Sequence, residues 1–248
     1  MRYIVGDLHG CFAELQALLA EIRFNPDEDQ LWSLGDLVNR GPDALALLRF
    51  FQGLGDAGRM VLGNHDLYLL GTYYAKRPQE KHADLHTIFD APDCADLLAW
   101  LRKQPLAHLF PDHQTLLVHA GVSPFWTDQD TLLHAKEAEA QLQGDGIVDL
   151  LKDPLGSQPR TWRDDLTGLD RYRYILNALT RMRYLTHDGQ FNFSHIGPVG
   201  SQAAHLTPWF VQNSRLSPST TVIFGHWASL MGETGNSKRL CLDTGCVY

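Results

Sequence analysis

Six times along this chain a short apolar run ends in a tight cluster of Gly, Asp, His or Asn, and no other feature restricts the possible folds so strongly. Residues 3–5 lead into Gly6-Asp7-Leu8-His9-Gly10, 31–34 into Gly35-Asp36, and 60–62 into Gly63-Asn64-His65-Asp66. Residues 115–118 lead into His119-Ala120-Gly121, 221–224 into Gly225-His226, and 240–242 into Asp243-Thr244-Gly245. Short β-rich runs bounded by glycine read as buried strands. Polar groups just past strand ends are where α/β folds commonly place their sites.

Helical spacing fills the gaps. Phe12, Leu15, Leu18, Leu19 and Ile22 form one stripe, Leu45, Leu47, Leu48 and Phe51 a less regular one, and Leu97, Leu98 and Leu101 a third that Pro105 closes. Strand–helix alternation implies an α/β class in one domain spanning 1–248. Two stretches, about 68–105 and 128–193, lack the strand-end clusters and are expected to be helical or irregular insertions, either capping a cleft or serving as scaffold.

A net charge of −8 argues against a stable nucleic-acid partner, which needs a basic footprint. A polyanionic small substrate stays open, because bound cations can invert the field inside a cleft. No apolar run approaches the roughly 20 residues that span a bilayer, and the start MRYIVGD lacks the layout of a secretory leader. A cytoplasmic protein without membrane contact is expected. Cys11, Cys94, Cys241 and Cys246 form no CxxC pair and read as free thiols of a reducing compartment.

Taken singly, the polar clusters say little: Gly-Asp is ordinary turn chemistry, and a lone His after an apolar run is often a core residue. Together Asp7, His9, Asp36, Asn64, His119 and His226 offer carboxylate, amide and imidazole donors that suit manganese, cobalt, iron or zinc better than calcium. Six donors exceed one tetrahedral zinc but suit two cations about 3.5–4 Å apart sharing one carboxylate.

The ordered motifs GDLHG, GDLVNRGPD, GNHD, HAG and GH, spanning residues 6 to 226, resemble the calcineurin-like metallophosphoesterases. The stretches LWSLGDLVNRGPDALALLR, MVLGNHDLYLL, ALTRMRY, FGHWASLMG and LDTGCVY are similar to one branch, the bacterial symmetrical bis(5′-nucleosyl)-tetraphosphatases. The resemblance implies two packed β-sheets flanked by helices, and two divalent metals, manganese or cobalt. Asp7, His9 and Asp36 would hold one metal, and Asp36, Asn64, His119 and His226 the other. It implies hydrolysis of diadenosine tetraphosphate to two ADP by a metal-bridging hydroxide, and it extends to RNA bearing a dinucleoside-polyphosphate cap. His65 would be the general acid, with Asp66 orienting its ring.

Arg40 is a candidate for bidentate phosphate contact. Arg181 or Arg183 would face the site, a solvated helix face being the alternative for either. Trp227 would stack on adenine or pack in the core. His82, His86, His108, His113, His134, His187, His195 and His205 follow no motif and read as structural or exposed. A serine/threonine phosphoprotein phosphatase shares the same metal site and is the alternative activity; a non-catalytic nucleotide-binding protein would show a broken ligand set. Chains of this branch usually continue past the residue equivalent to Tyr248, so a further strand is expected beyond it.

Overall fold

In the computed structural model, which describes residues 1–78, 85–152 and 156–247, a three-stranded and a four-stranded sheet stack on one another. The first half runs β1 (Arg2–Val5), α1 (Phe12–Glu21), β2 (Gln30–Ser33), α2 (Ala44–Gly53), β3 (Gly58–Met60), α3 (Asn64–Tyr74), α4 (His86–Phe89) and α5 (Cys94–Leu101). Then come β4 (Ala107–Phe110), β5 (Thr115–Val118), α6 (Asp128–Gln143), α7 (Ile147–Leu151), α8 (Gly168–Arg181) and β6 (Tyr184–Thr186). The rest is β7 (Phe191–Asn192), β8 (Leu206–Pro208), β9 (Thr221–Phe224) and β10 (Arg239–Cys241).

Sheet one has the order β1-β2-β3, all parallel. Sheet two has the order β10-β9-β5-β4, with β10, β9 and β5 parallel and β4 reversed. Side chains alternate across a strand, so each run feeds two apolar layers. Trp32, Leu34 and Val61 of sheet one meet Phe110 and Leu117 of sheet two, with Ile4 and Ile223 beside them. The Trp32 indole stacks on His108 at 4.2 Å and meets Phe110 edge-on at 5.1 Å, tying the sheets together. Leu31, Met60, Leu116, Val118, Val222 and Phe224 face the other way, into a core shared with the helices.

In the α1 stripe, Leu15 and Leu19 are buried, but Leu18 is 44% exposed, as the 100° step per residue dictates. Within the 68–105 stretch Leu85, Ile88, Leu97, Leu98 and Leu101 are fully buried, and α4 and α5 pack on α2. The 128–193 stretch carries α6, α7 and α8, and near its end adds β6 and β7, which join β8 in a third, antiparallel sheet. Those strands are two or three residues long, too short to show periodicity. Parts of both stretches, with His82, and Tyr248 lie outside the described residues. Among the described residues no helix is long and apolar enough to cross a membrane.

Candidate metal centre and its cleft

The six expected donors do converge. Each follows the carboxyl end of a parallel strand: Asp7 and His9 after β1, Asp36 after β2, Asn64 after β3, His119 after β5 and His226 after β9. The approach is tight enough to require glycine. A Cβ on Gly63 would fall inside the Asp36 carboxylate, and one on Gly225 inside that of Asp7. His9, Asp36, Asn39, Arg40 and His226 all hold positive φ, between 42° and 74°. Left-handed backbone costs an L-residue roughly 1–2 kcal/mol each, and such strain gathers where geometry serves function.

The imidazoles are held with one nitrogen spent and one free. His9 Nδ1–H donates to Val38 O at 2.9 Å, His119 Nδ1–H to Leu34 O at 2.7 Å, and His226 Nε2–H to Arg181 O at 3.2 Å. In those tautomers lone pairs face lone pairs. His9 Nε2 lies 3.6 Å from Asp36 Oδ2, and His119 Nε2 lies 3.4 Å from Asp36 Oδ2 and 3.2 Å from Asn64 Oδ1. Acceptors pressed together without a proton between them are a cation site in outline, and carbonyl-bound outer nitrogens are how metal-ligating histidines are usually oriented. Two donor groups, His9–Asp36–His65 and Asp36–His119–His226, each gather within 4.8 Å, with Asp36 common to both.

The electrostatics agree. Burial, then Asp36 and Asp243, push Asp7 well above the usual carboxylate range. Burial alone would raise Asp36 too, but the carboxyl is held low, because protonation of His119, His65 or His9 would favour its charge and the backbone N–H of His65 donates to it at 2.8 Å. Burial lowers His119 and His226, Arg183 adding to the effect on His226, so both rings are neutral and able to ligate. Divalent cations would relieve the repulsion among the carboxylates, so the residues present fit the group.

His65 stands beside this cluster, its ring 4.9 Å from that of His9, and burial holds it neutral with a pKa lowered to about 4. Asp66 does not orient it. The Asp66 carboxylate accepts the N–H groups of Asp36 (2.8 Å), Gly63 (2.9 Å) and Leu37 (3.1 Å), because it caps α3 and staples the β2–α2 loop to that cap. The neighbour of His65 Nδ1 is Asn39 Nδ2, at 2.9 Å.

A cleft of about 720 Å³ opens over these groups. Arg40, Arg181 and Arg183 all line it. Both later arginines reach the site because α8 ends between them: Arg181 is its last residue, and Met182 turns extended at ψ 133°. Arg181 Nη1–H donates to Gly156 O and Asn177 Oδ1, each at 2.7 Å, and its guanidinium lies 4.6 Å over the Phe193 ring. Arg183 Nη2–H donates to His226 O at 2.7 Å, and burial lowers it to about 10, still protonated at neutral pH. Trp227 offers no stacking face: it is 1% exposed, donates Nε1–H to Gly197 O at 3.2 Å and meets Tyr184 edge-on at 4.7 Å. The edge of Trp227 belongs to the cleft wall, and half-buried Phe193 lines the cleft beside it, with exposed Ile196 and Met231. Asp243, missing from the expected donor set, also lines it, buried and raised by that burial. Its place after β10, repeating the strand-end pattern, was the available signal. No local pattern marks Phe193, and His195 joins the lining without any motif.

Comparison with known proteins bears on this geometry. Residues 3–228 match the calcineurin-like phosphoesterase family. The chain is 47% identical over 247 residues to a symmetrical bis(5′-nucleosyl)-tetraphosphatase of Psychromonas ingrahamii, covering 99% of this chain and 89% of that protein. It is also 47% identical to the protein of the same name from Haemophilus ducreyi, covering 99% and 91%. A crystal structure provisionally assigned as a diadenosine tetraphosphatase superposes with a TM-score of 0.55 at 27% identity, covering 100% of this chain and 84% of that one.

Proposed function

This chain belongs to the calcineurin-like phosphoesterase family, and from that premise we propose that it is a metal-dependent hydrolase cutting diadenosine tetraphosphate symmetrically into two ADP. The observation that carries the chemistry is the set of facing acceptors around Asp36, which needs cations to be stable. Asp7, His9 and Asp36 would hold one divalent ion, and Asp36, Asn64, His119 and His226 a second, manganese or cobalt suiting the mixed donors. Such ions, when bound, polarise phosphoryl oxygens and make water nucleophilic near neutral pH.

The chain's own residues supply the rest. Arg40, Arg181 and Arg183 line the cleft as cationic partners for a polyphosphate. The three backbone donors that Asp66 engages hold Asp36 and the loop after it against α3, so the shared carboxylate needs no reorganisation during reaction. His65, with its pKa lowered to about 4, serves as a neutral hydrogen-bond donor to the departing oxygen. That suffices for a phosphate leaving group, whose conjugate acid is far stronger than an alcohol's. Phe193, Ile196 and Met231 give an adenine apolar contact beside the arginines. Activity on capped RNA rests on the resemblance alone, and the same assay on a cap-bearing oligonucleotide tests it.

The deciding experiment incubates the manganese- or cobalt-loaded protein with diadenosine tetraphosphate, separates the products by ion exchange, and includes Asp36→Asn and chelator controls. ADP as sole product, lost in both controls, is expected. ATP plus AMP would overturn the symmetrical cut, and turnover of a phosphopeptide alone would move the activity to protein phosphatase chemistry.

A further inference from the structure

Residues 36–40 form a loop in which nearly every position serves the site. Asp36 offers its carboxylate, Leu37 N–H anchors to Asp66, Val38 O holds His9, and Arg40 lines the cleft. Asn39 is the remaining member. It is 6% exposed, holds φ 69°, and places Nδ2 at 2.9 Å from His65 Nδ1. Its Oδ1 has no hydrogen-bond partner among the described residues, so its hydrogen bonding is spent on that ring.

We propose that Asn39 is the positioning residue for His65, its amide fixing the ring as the Nε2–H tautomer with that N–H presented to the substrate. The inference deepens the reading of His65 as a donor to the departing phosphate and rests on it. An amide NH₂ can only donate to a ring nitrogen, so Nδ1 must carry the lone pair and Nε2 the proton. A carboxylate at position 39 could only accept, which would place the proton on Nδ1 and leave Nε2 bare in the neutral ring. The amide also sets the tautomer without adding another negative charge beside Asp7 and Asp36. Asp66, through Asp36 N and Leu37 N, keeps the Asn39-bearing loop in register with the first turn of α3, where His65 sits.

The test uses the full chain, metal-free and zinc-loaded, labelled with ¹⁵N-histidine. Long-range ¹H–¹⁵N NMR reads which ring nitrogen bears the proton, and His65→Gln identifies the His65 signals. Nε2–H in the parent, a mixture in Asn39→Ala, and inversion to Nδ1–H in Asn39→Asp are expected. Asn39→Asp keeps the volume and tolerates the left-handed backbone, so it guards against a folding defect. On diadenosine tetraphosphate, Asn39→Ala should lower kcat about 10–100-fold with KM little changed, and add nothing to the loss in His65→Ala. An unchanged tautomer in Asn39→Ala, or losses that multiply in the double variant, would overturn the proposal. A parental rate in His65→Ala with the expected tautomer changes would sink the donor role of His65, while leaving the hold of Asn39 on its ring established.

Discussion

Asp7 accepts the backbone N–H of His226 through both carboxylate oxygens, at 3.0 and 3.2 Å, across 219 residues of chain. That bond locks the end of a sheet-one strand to the end of a sheet-two strand, with the side chains of both residues aimed at one point. It leaves no room for a side chain on Gly225, whose Cβ would overlap the Asp7 carboxylate.

Gly225→Ala should therefore damage the site without touching a ligand. Overpacking typically costs about 1–3 kcal/mol, so a lower Tm is expected together with weaker manganese binding by calorimetry. Parental metal affinity in a folded variant would mean that Asp7 can move aside freely.

Asp36→Asn separates charge from backbone. Asn tolerates the left-handed conformation that Asp36 holds at φ 52°, so the fold should survive. Loss of the charge shared by both donor groups should reduce kcat/KM by at least about 10²-fold, more than the loss of an outer-sphere partner. Steady-state kinetics beside a melting curve checks both halves, and a fall in Tm matching the fall in rate would count against a specific role.

The metal-free protein should be sensitive to mild alkali. Burial and then Asp36 push the Asp66 carboxyl up to about 8, and burial raises Asp7 and Asp243 as well. A carboxyl raised above its unfolded value contributes stability that is complete below that value and is lost as pH rises through the folded one. From about pH 6.5 to 8.5, above the fall of His65 to about 4, the stripped protein should melt at steadily lower temperature. With manganese the carboxylates are held ionised and the slope should vanish. Parallel profiles with and without metal, read by calorimetry, would contradict the cation site.

Phe193 and Trp227 should part company. Phe193→Ala should raise KM for diadenosine tetraphosphate, since a base–aromatic stack is worth about 1–3 kcal/mol, yet leave hydrolysis of inorganic tripolyphosphate nearly unchanged. Trp227→Ala should mainly lower Tm, as loss of a buried indole does, by about 3–5 kcal/mol. A large KM effect from a stable Trp227 variant would reverse the assignment.

Arg183 carries two duties, holding His226 O and facing the cleft. Arg183→Lys keeps the charge but loses the planar fork, so kcat/KM should fall roughly 10-fold or more. Substrate titration and metal titration together tell which duty failed.

The convergence of the candidate metal donors was legible because such chemistry demands fixed residue types directly after a strand, and strand ends show in sequence as apolar runs stopped by glycine. The pairing of Asp66 with His65 came from the resemblance of the GNHD motif, not from any local signal. On a helix, however, successive side chains diverge, and Asp66 turned to the free N–H groups at the start of α3. Asn39 was invisible because its contact with His65 spans 26 residues and exists only once the loop adopts left-handed backbone. Arg181 and Arg183 could not be ranked because the end of α8 between them carries no Gly or Pro to announce it. The third sheet escaped because its strands lack the length on which alternation can be seen.

The apolar layer between the sheets has a role beyond cohesion. Asp7, His9, Asp36 and Asn64 ride on one sheet, His119, His226 and Asp243 on the other, and Trp32, Val61, Phe110 and Leu117 lie between. That layer works as the spacer in a two-jawed gauge: its thickness sets the gap across which the two halves of the donor set face each other. A methyl group gained or lost there would retune the reaction from a place no substrate ever touches, which makes the interior of the sandwich a natural ground for adapting the enzyme's rate to temperature.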